Sequence, residues 1–329
     1  MTVYVDETGR AQAAFVHRAD VLATVQFGGD PLRRPTAPWL AAAIPNLPLA
    51  PCPAEEVWPA VGAVSRVVVG GAPASADDRS MFVAIESRAG SGPAIGALTF
   101  DIYRRLLSGV ERAGYPHLLR IWNYVPRIHE SWAGLDRYMH FCKGRSEAFA
   151  AHYGSAFSDR LPAASAVGCP GEHLVVHALA SREPGRHVEN PRQVAAHRYP
   201  ERYGPKSPSF ARGTVADGAW NGTVFVSGTA SIVGHESVFP GDPARQTEET
   251  MRNVEAVLDA AGVPGRGGPI GARLRSLRVY VRFPEHVAAV RAAIRATTET
   301  DVPTACLQAE ICREELLVEI EATSRPHRK

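Results

Sequence analysis

An α+β fold, in which sheets pack against helices and two similarly ordered halves share one chain, is what this 329-residue sequence predicts. Three observations carry that expectation. The last third reads strand, helix, strand, helix, strand, strand; the first half gives the same order; and a segment rich in Pro, Gly, Arg and Tyr lies between them. The reading divides the chain into an N-terminal domain, 1–182, with an N-terminal extension, and a C-terminal domain, 183–329, with a substrate-binding loop at 183–218. A single large α+β sheet domain is the simpler alternative.

The stretch through Ala60, Pro-rich from Pro31 to Pro59, reads as a packed extension or lid. Residues 81–85 are predicted to form a strand, 99–113 a helix, and 118–124 a strand ended by Pro126. A helix over 134–153 follows, then strands over 164–168 and 173–179. The intervening segment, 181–218, has weak periodicity, and its aromatic and cationic residues between 198 and 212 favour an ordered loop over a flexible linker. A strand from Gly222 leads to Asp242-Pro243, which caps and opens a helix running to Ala261, where Gly262 stops it. Leu277, Val279, Val281 and Phe283 then alternate as a half-buried strand, a helix spans 284–298, and Pro303 introduces the closing strands.

In 305–312, Ala305, Leu307, Ala309 and Ile311 share one face at the strand period, while Cys306, Gln308, Glu310 and Cys312 share the other. In 315–321, Leu316, Val318 and Ile320 fit a helix-covered face, which turns Glu319 towards the uncovered side of the sheet. Cys312 and Glu319 are therefore expected to meet in a cleft there. Partial burial would raise the pKa of Glu319 and suit it to proton donation near neutral pH.

Tyr138 and Arg145, seven apart in a predicted helix, place a phenol and a guanidinium two turns apart on one face. Tyr199 and Arg212 form a second such set in the loop. Taken singly, each residue reads as ordinary surface, and Cys312 as a small buried hydrophobe. Taken together, the two pairs suit a ligand with two carboxylates, since the planar fork of Arg binds a carboxylate through paired hydrogen bonds.

A formal net charge of +2 leaves no basic stripe for nucleic acid or a membrane surface. Five cysteines, Cys52, Cys142, Cys169, Cys306 and Cys312, form no Cys-x-x-Cys pair, which favours reduced thiols in the cytoplasm. No secretory signal pattern or apolar run of membrane-spanning length is visible. The segment 90–96 misses the dinucleotide fingerprint and puts Pro93 where a phosphate-binding helix should begin. His173 and His177 lack partners for a metal set, and no Gly-x-Ser-x-Gly elbow occurs. No metal or organic cofactor is expected.

The C-terminal third, from Gly222-Thr223-Val224-Phe225-Val226-Ser227-Gly228 to Leu316-Leu317-Val318-Glu319-Ile320-Glu321-Ala322, resembles the RidA/YjgF family. This implies its chorismate-mutase-like fold, with clefts between units. That family's carboxylate-gripping Arg before the fifth strand has no counterpart in Pro303-Thr304-Ala305-Cys306, so imine-deaminase activity is not implied. A longer resemblance, from about Trp122 onward, is to the chorismatase family. Tyr138-Met139-His140-Phe141-Cys142-Lys143-Gly144-Arg145, the string 202–212, Gly228-Thr229-Ala230-Ser231-Ile232-Val233-Gly234-His235-Glu236 and 307–312 carry it.

The chorismatase resemblance implies cleavage of the enolpyruvyl ether of chorismate with release of pyruvate, by a monomer or weak homo-oligomer. Tyr138, Arg145, Tyr199 and Arg212 would bind substrate and Glu319 would be the acid/base. Cys312 and Gly234 resemble the branch that forms 3-hydroxybenzoate. The alternatives are the hydrolytic branch, which makes a dihydroxycyclohexadiene carboxylate, and a non-enzymatic RidA-like module that binds small acids.

Overall fold

A computed structural model describes residues 3–5, 21–29, 39–50, 52, 53, 55–265 and 267–327. Two six-stranded sheets organise it. The first runs, edge to edge, Ala163–Cys169, His117–Pro126, His173–Ser181, Ser80–Arg88, Ala72–Ala76, Ser65–Val69. The second runs Thr304–Gln308, Leu274–Val281, Val318–Ser324, Thr223–Ala230, Gly213–Ala216, Arg186–Val188. Both have one topology. In each, the last strand inserts antiparallel between two earlier ones, and the strand before it pairs parallel at the edge. The four strands at 65–69, 72–76, 186–188 and 213–216 escaped the sequence reading because they are short and carry little alternation.

Helices α1 (Ala94–Arg112) and α2 (Arg137–Tyr153) provide the crossovers of the first half; α3 (Pro243–Ala261) and α4 (Val287–Thr298) those of the second. Capping chemistry sets their ends. The Asp136 side chain accepts the Met139 N–H at 2.7 Å and starts α2 three residues later than expected, since Gly134, at φ +81°, belongs to the preceding turn. Asp242 caps α3 by accepting the Arg245 N–H at 3.0 Å, and Gly262 ends it at φ +82°. Helix α1 begins five residues early because Ile95 extends its buried face. Residues 284–286 form a 3₁₀ turn before α4.

Apolar burial occurs in three layers. α1 and α2 cover the outer face of the first sheet, and α3 and α4 that of the second. Between the sheets a third cluster joins Trp122, Tyr124 and Val175 of the first to Phe225, Tyr280 and Leu307 of the second. The N-terminal extension belongs to it. Strands Val3–Val5, Glu55–Pro59, Val21–Phe27 and Leu40–Ile44 form a four-stranded sheet, and Leu22, Val25, Phe27, Ile44 and Trp58 are buried in the middle layer. Trp58 meets Trp122 edge-on at 5.2 Å. Residues 31–38, 51 and 54 of the Pro-rich stretch lie outside the described residues; the described part is a structural wedge rather than a lid.

The closing strands correct two expectations. Alternation in 305–312 holds only to Gln308, where the strand ends. Cys306 faces the helices, whereas Cys312 packs against the inter-sheet cluster, so the two cysteines do not share a face. Leu316 likewise turns inward, since the strand starts at Val318; Val318 and Ile320 lie under the helices, and Glu319 points the other way as expected. That side is not uncovered. The first sheet covers it, so the cleft is internal, between the two sheets.

Candidate active site

A cavity of about 300 Å³ opens where strand Ala163–Cys169 of the first sheet approaches Thr223–Ala230 of the second. Side chains stitch the two together: the Ala164 N–H donates to Ser227 Oγ at 3.0 Å, and the Gly228 N–H to Ser165 Oγ at 3.1 Å. Tyr138, Arg145, Tyr199, Arg212, Cys312 and Glu319 all line this space. The structure thus gathers six of the seven residues singled out from the sequence. Gly234 is the exception. It makes the tight turn of a small hairpin, at φ +61°, and bonds to the backbone of Arg192 and Val194 outside the cavity lining.

The basic residues are buried with unused capacity. Arg145, on α2, is 1% exposed, and Nε, Nη1 and Nη2 all lack a hydrogen-bond partner among the described residues. Its guanidinium lies 4.9 Å from the centre of the Phe141 ring. The Tyr103 and Tyr138 phenols and the Cys142 thiol lie beside it and favour its charge, but neutral groups answer a buried guanidinium only in part, and an uncompensated buried charge costs several kcal/mol. An anion from outside would offset that cost. Arg212 donates from Nη2 to the Tyr199 hydroxyl at 2.8 Å and to the Val194 carbonyl at 3.0 Å, leaving Nε unpartnered.

Glu319 is the acid of the cavity. It is 4% exposed, and its pKa is pushed up to about 8 by burial and by the nearby Glu321, against the pull of Arg120 and Arg212. Near neutral pH it therefore holds a proton. Its carboxyl lies against the backbone of Gly228, where an added Cβ would sit 1.9 Å from Glu319 Oε1. Burial and the Glu319 charge push the Cys312 thiol up to about 12, so it stays a thiol. Burial, with Cys142 and Cys312 nearby, holds the Tyr138 phenol well above its usual value.

Sequence reasoning missed His129, Ser131, Ser165 and Arg313, which also line the cavity. Arg313 orders one wall: Nη1 donates to the His235 carbonyl at 2.9 Å and to Ser237 Oγ at 3.0 Å, and its guanidinium stacks 4.0 Å from the Tyr203 ring centre. Ser165 carried a faint signal, a hydroxyl between alanines in a strand. Arg313 carried none beyond adjacency to Cys312.

A family model described as Chorismatase FkbO/Hyg5-like, N-terminal, matches residues 56–180, and one described as Endoribonuclease L-PSP matches 210–325. A Streptomyces hygroscopicus protein named 3-hydroxybenzoate synthase is 40% identical over 67% of this chain and 66% of its own length. A Streptomyces rapamycinicus protein named chorismatase is 38% identical over 71% of this chain and 72% of its own. A chorismatase crystal structure superposes with a TM-score of 0.87 at 29% identity, covering 99% of this chain and 98% of that one. The expected α+β, RidA/YjgF-like fold is thereby established.

Proposed function

The chain belongs to the chorismatase family, and we propose from that premise that it is a 3-hydroxybenzoate-forming enzyme, cleaving the enolpyruvyl ether of chorismate to release pyruvate. One observation carries the reading: a buried carboxyl that keeps its proton at neutral pH shares a cavity with two buried arginines whose hydrogen-bonding capacity is not fully used. Chorismate is a dianion with an acid-labile enol ether. Arg145 and Arg212 bind its carboxylates, with Tyr138 and Tyr199 orienting the ring.

Glu319 gives its proton to the enol-ether methylene, whose π pair forms the new C–H bond and leaves an oxocarbenium ion. Capture of that cation by the ring 4-hydroxyl gives a cyclic ketal, the hydroxyl proton passing to the 3-oxygen as the ketal opens. C4–O then breaks as the C3 proton leaves, so the ring becomes 3-hydroxybenzoate and the three-carbon unit departs as pyruvate with the former 4-oxygen, without consuming water. The ring proton lost on aromatisation restores Glu319. Cys312, a neutral thiol lining the cavity, supports the aromatic branch by shielding the cation from water. The 40% identity to a protein named 3-hydroxybenzoate synthase supports the same branch. This reading also takes 182/183 as the boundary between the two halves and treats the protein as a cytoplasmic monomer or weak homo-oligomer.

Incubation of purified protein with chorismate, followed by chromatography, tests the proposal. Equal amounts of pyruvate and 3-hydroxybenzoate are expected. A dihydroxycyclohexadiene carboxylate in place of 3-hydroxybenzoate would move the chain to the hydrolytic branch, and chorismate binding without any pyruvate would reduce it to a small-acid binding module.

A further inference from the structure

Behind the cavity, between the sheets, lies a second set of charged groups, joined to the cavity lining through Ser165 and Glu319. Glu321, two residues beyond Glu319 on the same face of the strand, is 5% exposed yet does not line the cavity. Four donors surround it. Arg120 Nη2 lies 3.2 Å from Oε1, the Tyr280 hydroxyl donates to Oε1 at 3.0 Å, the Trp122 indole N–H donates to Oε2 at 2.9 Å, and Arg278 Nη1 lies 3.7 Å from Oε2. Arg278 also pairs with Glu56 through Nη2 and donates from Nη1 to the Tyr124 hydroxyl at 2.8 Å. Two arginines and two glutamates thus close on one another, and Glu319 is the carboxyl left over.

We propose that Glu321 is a positioning residue for the acid step: an anion locked in place by Arg120, Arg278, Trp122 and Tyr280, whose fixed negative charge keeps Glu319 protonated for catalysis. The inference rests on the reading of Glu319 as the proton donor, and it assigns a task to residues on which the catalytic scheme makes no demand. The reasoning is electrostatic. A carboxylate whose oxygens accept several charge-assisted bonds stays ionised even when buried, and a second carboxyl close to it then resists ionisation. Arg120 and Arg278 together hold Glu321 below the usual carboxylate range in spite of its burial.

The groups that face Glu319 can be enumerated by element. Glu321 comes from its own strand, Arg120 and Ser165 from the first sheet, Tyr280 from the neighbouring strand, Arg212 from the loop, and Cys312 from the turn before it. Arg120 pulls the Glu319 pKa down, but its Nη2 is directed to Glu321 and to Ser165 Oγ. Ser165 accepts from both Arg120 and the Gly228 N–H, which leaves its own hydroxyl proton to be given to a neighbouring acceptor. Glu321 therefore acts twice, by repelling charge on Glu319 and by drawing Arg120 Nη2 towards itself.

Infrared titration of the protonated carboxyl band decides the matter without relying on turnover, the Glu319 band being the one absent from Glu319→Gln. Wild type should titrate with a midpoint near 8, the value set by its burial and neighbours, and Glu321→Gln should move that midpoint down by about one pH unit or more. Pyruvate release from chorismate should follow, with Glu321→Gln losing activity at pH 8 and regaining most of it at pH 6. An unmoved midpoint, or a loss of rate equal at every pH, overturns the proposal and leaves Glu321 a packing residue. Should Glu321→Gln fail to fold, Glu321→Ala removes the same negative charge without setting a carboxamide against the arginines; the same downward shift is expected, and its absence would overturn the proposal. If wild type releases no pyruvate, the chorismate reading falls while the titration still judges Glu321.

Discussion

The two halves put opposite contents into the same slot. In the first sheet the strand inserted between its two neighbours, His173–Ser181, gives Val175, His177 and Leu179 to the middle layer; in the second sheet the corresponding strand, Val318–Ser324, gives Glu319 and Glu321. His177 makes the contrast plain. It is buried against Phe82 and Tyr124, and burial, with Arg278 nearby, pulls its pKa down to about 3, so it is neutral. One half has an inert slot and supplies Arg145 from α2 and Arg120 and Ser165 from its strands. The other supplies the acid. Paired sheets of one topology thus divide the dianion site between them, Arg145 from the first half and Arg212 from the second, with the proton donor Glu319 on the second.

Removing the acid is the most direct way to break this division. Glu319→Gln keeps the shape of the side chain but has no proton to give, so pyruvate release should fall by about 10³-fold or more with the circular-dichroism spectrum unchanged. Near-normal release from a folded variant would move the chemistry away from the second half.

The arginines sharpen the comparison, because they differ in what they do without ligand. Arg145→Met should raise KM or lower kcat/KM by about 10²-fold with little change in Tm, since the buried guanidinium has only the neutral Tyr103 and Cys142 side chains close by to offset its burial. Arg212→Ala should cost a similar factor in kcat/KM and also lower Tm, because it breaks the bonds to Tyr199 and Val194. Equal Tm changes for the two would mean that Arg145 has a structural partner after all. Gly228→Ala places a methyl on Glu319 Oε1 and should cost about 10-fold or more in kcat through displacement of the acid, with a smaller change in KM. If kcat holds, Glu319 acts from another rotamer.

Glu319 should also leave a mark on stability. Its carboxyl moves from the ordinary 4.5 to about 8 on folding, so the folded state binds the proton more tightly than the unfolded chain does. Stability from this group is fully present below pH 4.5 and is lost as pH rises towards 8, by up to about 5 kcal/mol at about 1.4 kcal/mol per pH unit. Glu319→Gln should therefore gain on wild type as pH rises from 5 to 8 in urea titrations. Parallel curves would place its folded pKa near the ordinary value.

Much of this was legible in the sequence, and the reasons are local. Helical spacing put Tyr138 and Arg145 on one face, strand alternation turned Glu319 away from the helices, and Asp242 and Gly262 marked the ends of α3. What stayed hidden depends on contacts across the chain. Glu321, Arg120 and Arg278 are distant in sequence and read singly as surface charges; only the closing of one sheet on the other makes them a buried network. Cys312 was placed correctly in the cleft by a periodicity that ends four residues before it, so that inference reached the right location through a strand that is not there. The short N-terminal strands form because the middle layer needs their apolar side chains, a tertiary demand that no window of local sequence expresses.

The smallest expected effect bears on how the two halves share a single intermediate. Cys312 and Glu319 come from the second half, whereas Tyr138 comes from the first, and the three line one cavity. Burial pushes the thiol up to about 12 and keeps it protonated, which suits it to shielding or hydrogen bonding rather than nucleophilic attack at neutral pH. Cys312→Ala removes one heavy atom and opens room near the site of the cation. Water would then compete with internal capture, while the protonation step, set by Glu319, would proceed much as before. Pyruvate release should stay within about 3-fold of wild type, with the ring product shifting from 3-hydroxybenzoate towards the dihydroxycyclohexadiene carboxylate, since a branching ratio responds to differences of about 1 kcal/mol that a total rate conceals. Chromatography of the ring products measures the ratio directly. If it does not change, the partition is set on the Tyr138 side of the cavity, by the first half, and Cys312 serves only to fill the wall.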